Sequence, residues 1–311
     1  MRALLPTMSV CASLILGPAA FGGSTKVENV IGLMVAEPHW LVSANTIAAK
    51  LNHENDLRIV PMIGAGGVQI FQDMVALPGV DAAILSSDSL AYAASQDMLG
   101  GDSDKFTYVA RLATLDVVLI TKRNITNIKN LSGKRIATGP AQSAAFATGE
   151  LIFNSLGIPF TRVAKQDDAA IDALASGQAD AALILGTEIS TAALSDGRFH
   201  VLSLQAPQNL STVYQPAILT ARDLPGLIIQ KQSIETISTS LTLAVYDRPR
   251  DAAHQKSLNN FETMIFKSAA GDGNGNLAAE IPGWKRHADA DKILGQNKFE
   301  KITITPTGGQ P

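Results

Sequence analysis

Strand and helix patterns alternate along this chain, and that alternation limits the fold more than any single motif does. Val27 to Val35 reads as a strand, and Leu41 to Leu51 carries apolar residues at helical spacing through Leu41, Ala44, Ile47, Ala48 and Leu51. Leu57 to Ile63 is a second strand, Val68 to Ala76 a helix and Val80 to Leu85 a third strand, after which Ser86-Ser87-Asp88 opens another helix. This order predicts a parallel sheet covered by helices, and such sheets take their ligands at the carboxyl ends of the strands. The pattern then meets Phe106 to Thr121, an apolar stretch long enough to pass from one domain into a second. Thr239 to Tyr246 is the natural return crossing.

Between those crossings the alternation starts again. Lys134 to Thr138 reads as a short strand, Gly139-Pro140 breaks it, and Ser143 can cap a helix that runs through Phe153 and Leu156 and stops at Gly157. Val163-Ala164 is a strand, Asp168 to Ala175 a helix, and Ala179 to Ile184 a strand ending at Leu185-Gly186-Thr187-Glu188. Residues 75–85 and 174–184 echo each other: a helix end, a Gly, an Asp that starts a short apolar strand, then a polar turn. The echo predicts two domains on one plan, each offering turns to a shared cleft. Farther on, Phe199 to Leu204 is a strand and Tyr214 to Leu219 is extended. Pro249 to Lys267 is a helix with Leu258, Phe261, Ile265 and Phe266 inward, Gly271 to Gly275 a mobile loop, and Gly283 to Leu294 a last helix.

The two ends read differently from the middle. Arg2, the apolar run Ala3 to Leu16 and Ala20-Phe21-Gly22 have the layout of a secretory signal peptide over residues 1–23, which predicts a soluble protein outside the cytoplasm. Cys11, the only cysteine, lies in that segment, so the mature protein would hold no thiol for a disulfide, a metal or a nucleophile. A formal charge of −3 without a Lys/Arg block argues against nucleic acid or anionic lipid as a partner. Residues 296–311 read as a polar tail.

Signals for catalysis are sparse. There is no Gly-x-Ser-x-Gly elbow, His-Glu-x-x-His, P-loop or complete Gly-x-Gly-x-x-Gly, and Gly64-Ala65-Gly66-Gly67 resembles a dinucleotide loop only superficially. Histidines 39, 53, 200, 254 and 287 are scattered without metal-ligand spacing, so neither metal nor cofactor is expected. His39 sits in the first strand-end turn beside Glu37 and Trp40, where it could meet a ligand or lie in a solvated turn. Glu37 with His39 is the one pair an enzyme could use as acid and base.

Binding chemistry is better represented. The turn Gly139 to Phe146, with Gln142, Ser143 and Ala144, leaves backbone N–H groups at a helix start, where the dipole favours an anion. Arg111 within an apolar strand needs a partner, either a ligand carboxylate or an internal acid such as Asp88 or Asp116. Glu188, at a strand end of the second domain, could take a ligand amine or hydroxyl or be a surface acid.

In order and spacing, Gly64-Ala65-Gly66-Gly67, Gly79-Val80-Asp81-Ala82-Ala83, Ser87-Asp88, Leu131-Ser132-Gly133-Lys134-Arg135-Ile136 with Gly139, Ser143 and Thr148, and Pro282-Gly283-Trp284-Lys285-Arg286 resemble the TAXI-type solute receptors of TRAP transporters. The resemblance covers roughly residues 27–294. It implies the type II periplasmic-binding-protein fold, an α/β fold of two lobes joined by a pair of crossing strands: lobe I from 24–114 plus 243–295, lobe II from 115–242. It further implies a periplasmic, non-enzymatic monomer that closes over a small, carboxylate-bearing or amino-acid-like solute and docks on a membrane permease. The implied ligand turns are 36–40, 64–68, 86–88, 139–146 and 186–188, which include Glu37, His39, Trp40, Gly66, Gly67, Ser87, Asp88, Gly139, Gln142, Ser143, Ala144, Phe146 and Glu188, with Arg111 beside them. Two turns depart from the family pattern: the first is Ala36-Glu37-Pro38-His39-Trp40 rather than glycine-rich, and Gln142-Ser143-Ala144-Ala145 replaces a Gly-Ser-Gly-Thr-like turn. The altered first turn leaves room for an accessory or sensor protein on the same fold, and an ABC permease is an alternative partner.

Overall fold

The computed structural model describes residues 30–52, 57–246 and 251–271, with the paired segments 274–275, 285–286 and 301–302. The proposed signal peptide, Cys11, His53 and His287 lie outside the described residues.

The expected alternation is present. In chain order come β1 (Val30–Val35), α1 (Leu41–Leu51), β2 (Arg58–Ile63), α2 (Gln69–Ala76), β3 (Ala82–Ser86), α3 (Asp88–Ser95) and the 17-residue β4 (Phe106–Lys122). They are followed by β5 (Arg135–Ala137), α4 (Ala144–Ser155), β6 (Thr161–Val163), α5 (Asp167–Ala175), β7 (Ala181–Leu185), β8 (Phe199–Val201), β9 (Gln215–Thr220), β10 (Ser233–Tyr246) and α6 (Ala252–Gly271). The strands lie in the order β2-β1-β3-β10-β4-β7-β5-β6. β1 is parallel to both β2 and β3, and β5 is parallel to both β6 and β7, while β4 and β10 run antiparallel to their neighbours.

Two sheet halves thus share their two longest strands. The half of β4 from Phe106 to Leu115 and the end of β10 pack into a core with α1, α2 and α6. Beyond Val117, β4 enters the second half, whose two faces bury Phe153 and Tyr214 on one side and Ile171 and Leu174 on the other. This is the two-lobe α/β fold with two crossing strands.

The internal echo has a physical cause. Asp81, at the start of β3, accepts a hydrogen bond from the Gly32 N–H through Oδ2 (2.8 Å), while its own N–H donates to the Gly32 carbonyl (2.9 Å). Asp180, at the start of β7, repeats both bonds on Arg135 of β5, at 3.2 and 2.7 Å. In each half an acid at the mouth of one strand pins the mouth of its parallel neighbour, which sets the register that carries both sets of strand-end turns to the opposite edge.

α4 forms for the reasons read from sequence. Ser143 accepts from the Phe146 N–H at 3.2 Å, and the last turn closes with Gly157 and Ile158 N–H groups donating to the Asn154 and Phe153 carbonyls at 3.0 and 2.9 Å. Its small residues let β5 approach closely, since a Cβ on Gly149 would lie 2.8 Å from the Thr138 methyl. Leu258, Phe261 and Ile265 of α6 are buried as expected, and the side chain of Phe266 lies outside the described residues.

The C-terminal reading needs correction. Lys285-Arg286, expected within a helix over 283–294, is extended and pairs with Thr107-Tyr108 of β4 as β12, because β4 there has an edge free on the side away from β10. Asn274-Gly275 (β11), expected in a mobile loop, pairs with Lys301-Ile302 (β13) of the expected tail. No helix among the described residues is long and apolar enough to cross a membrane.

Candidate functional site

The turns after β1, β2, β3 and β5 converge where the two sheet halves meet. Glu37 follows β1, and Pro38 after it starts a single 3₁₀ turn through Trp40. That turn leaves the Glu37 side chain free to cross to the other half instead of capping its own helix. Its Oε1 accepts from the Ala144 N–H at 2.8 Å and its Oε2 from the Gln166 amide at 3.1 Å. The contact joins residues 107 positions apart and buries Glu37 to 5% exposure. Below it the Val68 N–H donates to the Gln142 carbonyl at 3.1 Å, Gln142 having a positive φ of 72°.

Around Glu37 the crevice is lined by His39, Trp40, Ala144, Ala145, Gln166, Asp167 and Leu185. His39 stands edge-on to Trp40, with centroids 5.1 Å apart, and its Nδ1 lies 3.7 Å from the Asp167 carboxylate. Trp40 belongs to the first core, whereas the His39 side chain is half exposed. The cavity volume is about 10 Å³, enough for about one water. Burial raises the Glu37 carboxyl above its ordinary range against the opposing hydrogen bonds from Ala144 and Gln166. Asp167 is also raised, chiefly by burial, with His39 pulling the other way.

The start of α4, read from sequence as an anion seat, is thus occupied from within. The leading N–H of α4 serves the chain's own carboxylate rather than standing open. Ser143 spends its hydroxyl on capping, and Phe146 stacks edge-on to Tyr92 of α3 at 5.3 Å.

Other anticipated residues do structural work beside the crevice. The Ser87 hydroxyl lies 2.9 Å from that of Thr239, and Ser240 N–H donates to it at 3.1 Å, tying the end of β3 to β10. Asp88 is fully buried, and its Oδ2 meets the hydroxyls of Thr148 on α4 and Tyr214. Asp88 is thus no salt-bridge partner for Arg111, and Asp116 is none either, being raised by burial and by Asp223. Arg111 is half buried on β4, level with Thr242 of β10 and away from the crevice lining. Glu188 is exposed and is not brought to the crevice, which Leu185 borders instead.

Gln166 and Asp167 were missed. Gln166 lies in the turn between β6 and α5 and Asp167 is the first residue of α5, and a strand followed by a helix from residue 168 was itself the signal that this turn shares the edge with the others. No cluster of His, Cys, Asp and Glu suited to a metal occurs among the described residues.

Close approach at Gly66 makes the junction testable. A Cβ there would lie 2.4 Å from the Gln142 carbonyl oxygen, with φ at 128°. Gly66→Ala is expected to break the Val68–Gln142 bond at a cost of about 1–3 kcal/mol. The turns would then be held apart, seen as a larger radius of gyration in X-ray scattering. An unchanged radius would show that the halves are not held together at this point.

The model of the NMT1-like family matches residues 40–255. No curated protein matches the chain. Among solved structures, a TctC solute binding protein from Polaromonas without ligand is 15% identical over 88% of this chain and 90% of that one, with a TM-score of 0.47. MatC from Rhodopseudomonas palustris with bound malate is 19% identical over 86% and 88%, with a TM-score of 0.46. The periplasmic aliphatic sulphonate binding protein SsuA from Escherichia coli is 14% identical over 86% and 75%, with a TM-score of 0.40.

Proposed function

Because this chain belongs to the NMT1-like family, we propose that it is an extracytoplasmic solute receptor, which takes a small molecule between its two lobes and hands it to a membrane permease. The observation that carries this reading is the convergence of strand-end turns from both sheet halves on one crevice, with Glu37–Ala144 and Val68–Gln142 bridging it. Residues that meet across such a crevice can grip a solute from both sides only when the lobes are together, so binding favours the closed state. The work is binding, without catalysis: Glu37 with His39 is the candidate acid/base pair, but the Glu37 carboxylate is engaged by Ala144 and Gln166. The sequence resemblance favours a TAXI-type receptor, a TRAP permease and export by residues 1–23.

A captured solute at 100 times its Kd stabilises the folded protein by about 2.7 kcal/mol, a rise in Tm of about 5–10 °C for a chain of this size. A thermal-shift screen over organic acids, amino acids, their amides and amines, paired with uptake assays in a deletion strain, tests the reading. The expected result is a rise in Tm with one group of these compounds and loss of uptake of the same group. No shift with any compound, together with unimpaired uptake, would remove the receptor assignment.

A further inference from the structure

The filled anion seat bears on what the crevice can accept. Glu37 is held at the start of the 12-residue α4 with its carboxylate already supplied with an N–H from Ala144 and another from Gln166. An entering carboxylate would compete for the same N–H and would come close to the Glu37 charge. Among the described residues no Lys or Arg lines the crevice to offset that repulsion, and its charged lining consists of Glu37, Asp167 and the half-exposed His39.

The unmet hydrogen-bonding capacity there is of the opposite kind. Gln166 turns its NH₂ to Glu37, leaving its Oε1 buried without a partner among the described residues. Each Glu37 oxygen accepts one hydrogen bond and has capacity for another. Asp167 adds a further carboxylate at the rim. A buried acceptor left unpaired is costly, and Glu37 and Asp167 are both raised chiefly by burial, which the half-exposed His39 offsets only in part. Space of about 10 Å³ admits one group of the size of water or of an ammonium head.

We propose that the solute is a cationic nitrogen compound, whose ammonium head is held by Glu37, Gln166 and Asp167, and that Glu37 sets this preference by occupying the start of α4. The proposal rests on the receptor reading and reverses the charge of the solute anticipated from sequence. Glu37 thereby acts as the specificity-determining residue: it blocks the anion seat and presents its own charge to the solute.

The test uses putrescine, agmatine and arginine as cationic probes, and succinate, malate and glutamate as anionic ones, by thermal shift and calorimetry on wild type, Glu37→Gln and Asp167→Asn. Glu37→Gln keeps an acceptor for the Ala144 N–H, and Asp167 is exposed enough for Asp167→Asn to fold whatever happens at Glu37. At least one cation is expected to bind wild type. Its affinity should fall about 30-fold or more in Glu37→Gln and about two- to fivefold in Asp167→Asn, while the anions leave wild type unshifted. Binding of an anion to wild type, tightened in Glu37→Gln, would overturn the proposal while leaving the receptor reading in place. Cation affinity unchanged in both variants would overturn it too, as would failure of every cation, and failure of both probe sets would take the receptor reading with it.

Discussion

Gly32→Ala should abolish stable folding of the first sheet half. A Cβ on Gly32 would lie 1.6 Å from the Gly79 carbonyl oxygen and 2.7 Å from the Met62 methyl. Met62 can rotate away, but the Gly79 carbonyl cannot. It is held over β1 because Asp81 is bonded twice to Gly32, through its carboxylate and through its N–H. Relief would require breaking the clamp that registers β3 against β1. The expected cost is about 3 kcal/mol or more, large against the total stability of an ordinary domain. Gly79→Ala is the matched control: its φ is 89° but open space surrounds its Cβ, so it should lose only about 1–2 kcal/mol. Urea unfolding followed by circular dichroism compares the two. Equal midpoints would mean that the turn gives way easily and that the Asp81 clamp does not set the register.

What the sequence made legible was local, or recurred at a fixed spacing. The Ser143 cap, the end of α4 at Gly157 and the Asp81/Asp180 echo all depend on residues close in the chain or on a repeated plan. β4 was readable because few single-lobe folds need a 17-residue strand. The crevice was only half readable. Strand-end turns could be placed on one edge, but nothing near Glu37 says that its carboxylate ends on Ala144. Nor does anything near Asp88 announce Tyr214, 126 residues away. Those pairings depend on how the lobes meet, which no periodicity encodes. Lys285-Arg286 failed for a related reason: a two-residue strand is set by the edge it joins, and helical spacing around it has no bearing on that edge.

Asp88 should make the lobe junction weaker as pH rises. Its carboxyl is fully buried, with Oδ2 at the hydroxyls of Thr148 and Tyr214 and Oδ1 without a hydrogen-bond partner among the described residues. Burial raises it above the ordinary carboxyl range, outweighing the hydrogen bonds from Thr148 and Tyr214 and the pull of the nearby Ser86 and Thr239 hydroxyls. Burial and the nearby acid also hold the Tyr214 phenol well above its usual value, so that it stays a donor. A proton on Asp88 would also settle the hydrogen count. Thr148 reaches both Asp88 and the Ala144 carbonyl but has one hydroxyl proton. If Asp88–H donates to Thr148, Thr148 can donate to Ala144, and Tyr214 can donate to Asp88. Once Asp88 ionises, Thr148 must choose between them. A carboxyl whose pKa is higher folded than unfolded binds its proton more tightly in the fold. Its contribution is therefore complete below about pH 4 and is lost as pH rises through the folded value. Asp88→Ala, which strands both hydroxyls and leaves a void, should cost about 3 kcal/mol. Asp88→Asn cannot ionise, so wild type should lose stability relative to it between pH 4 and pH 7, read from urea midpoints at each pH. Other raised acids, Glu37 and Asp167 among them, act in both proteins and cancel in the difference. A stability gap that stays constant across that range would mean that Asp88 keeps the same charge in the folded and unfolded chain, and the proton-sharing chain through Thr148 would have to be abandoned.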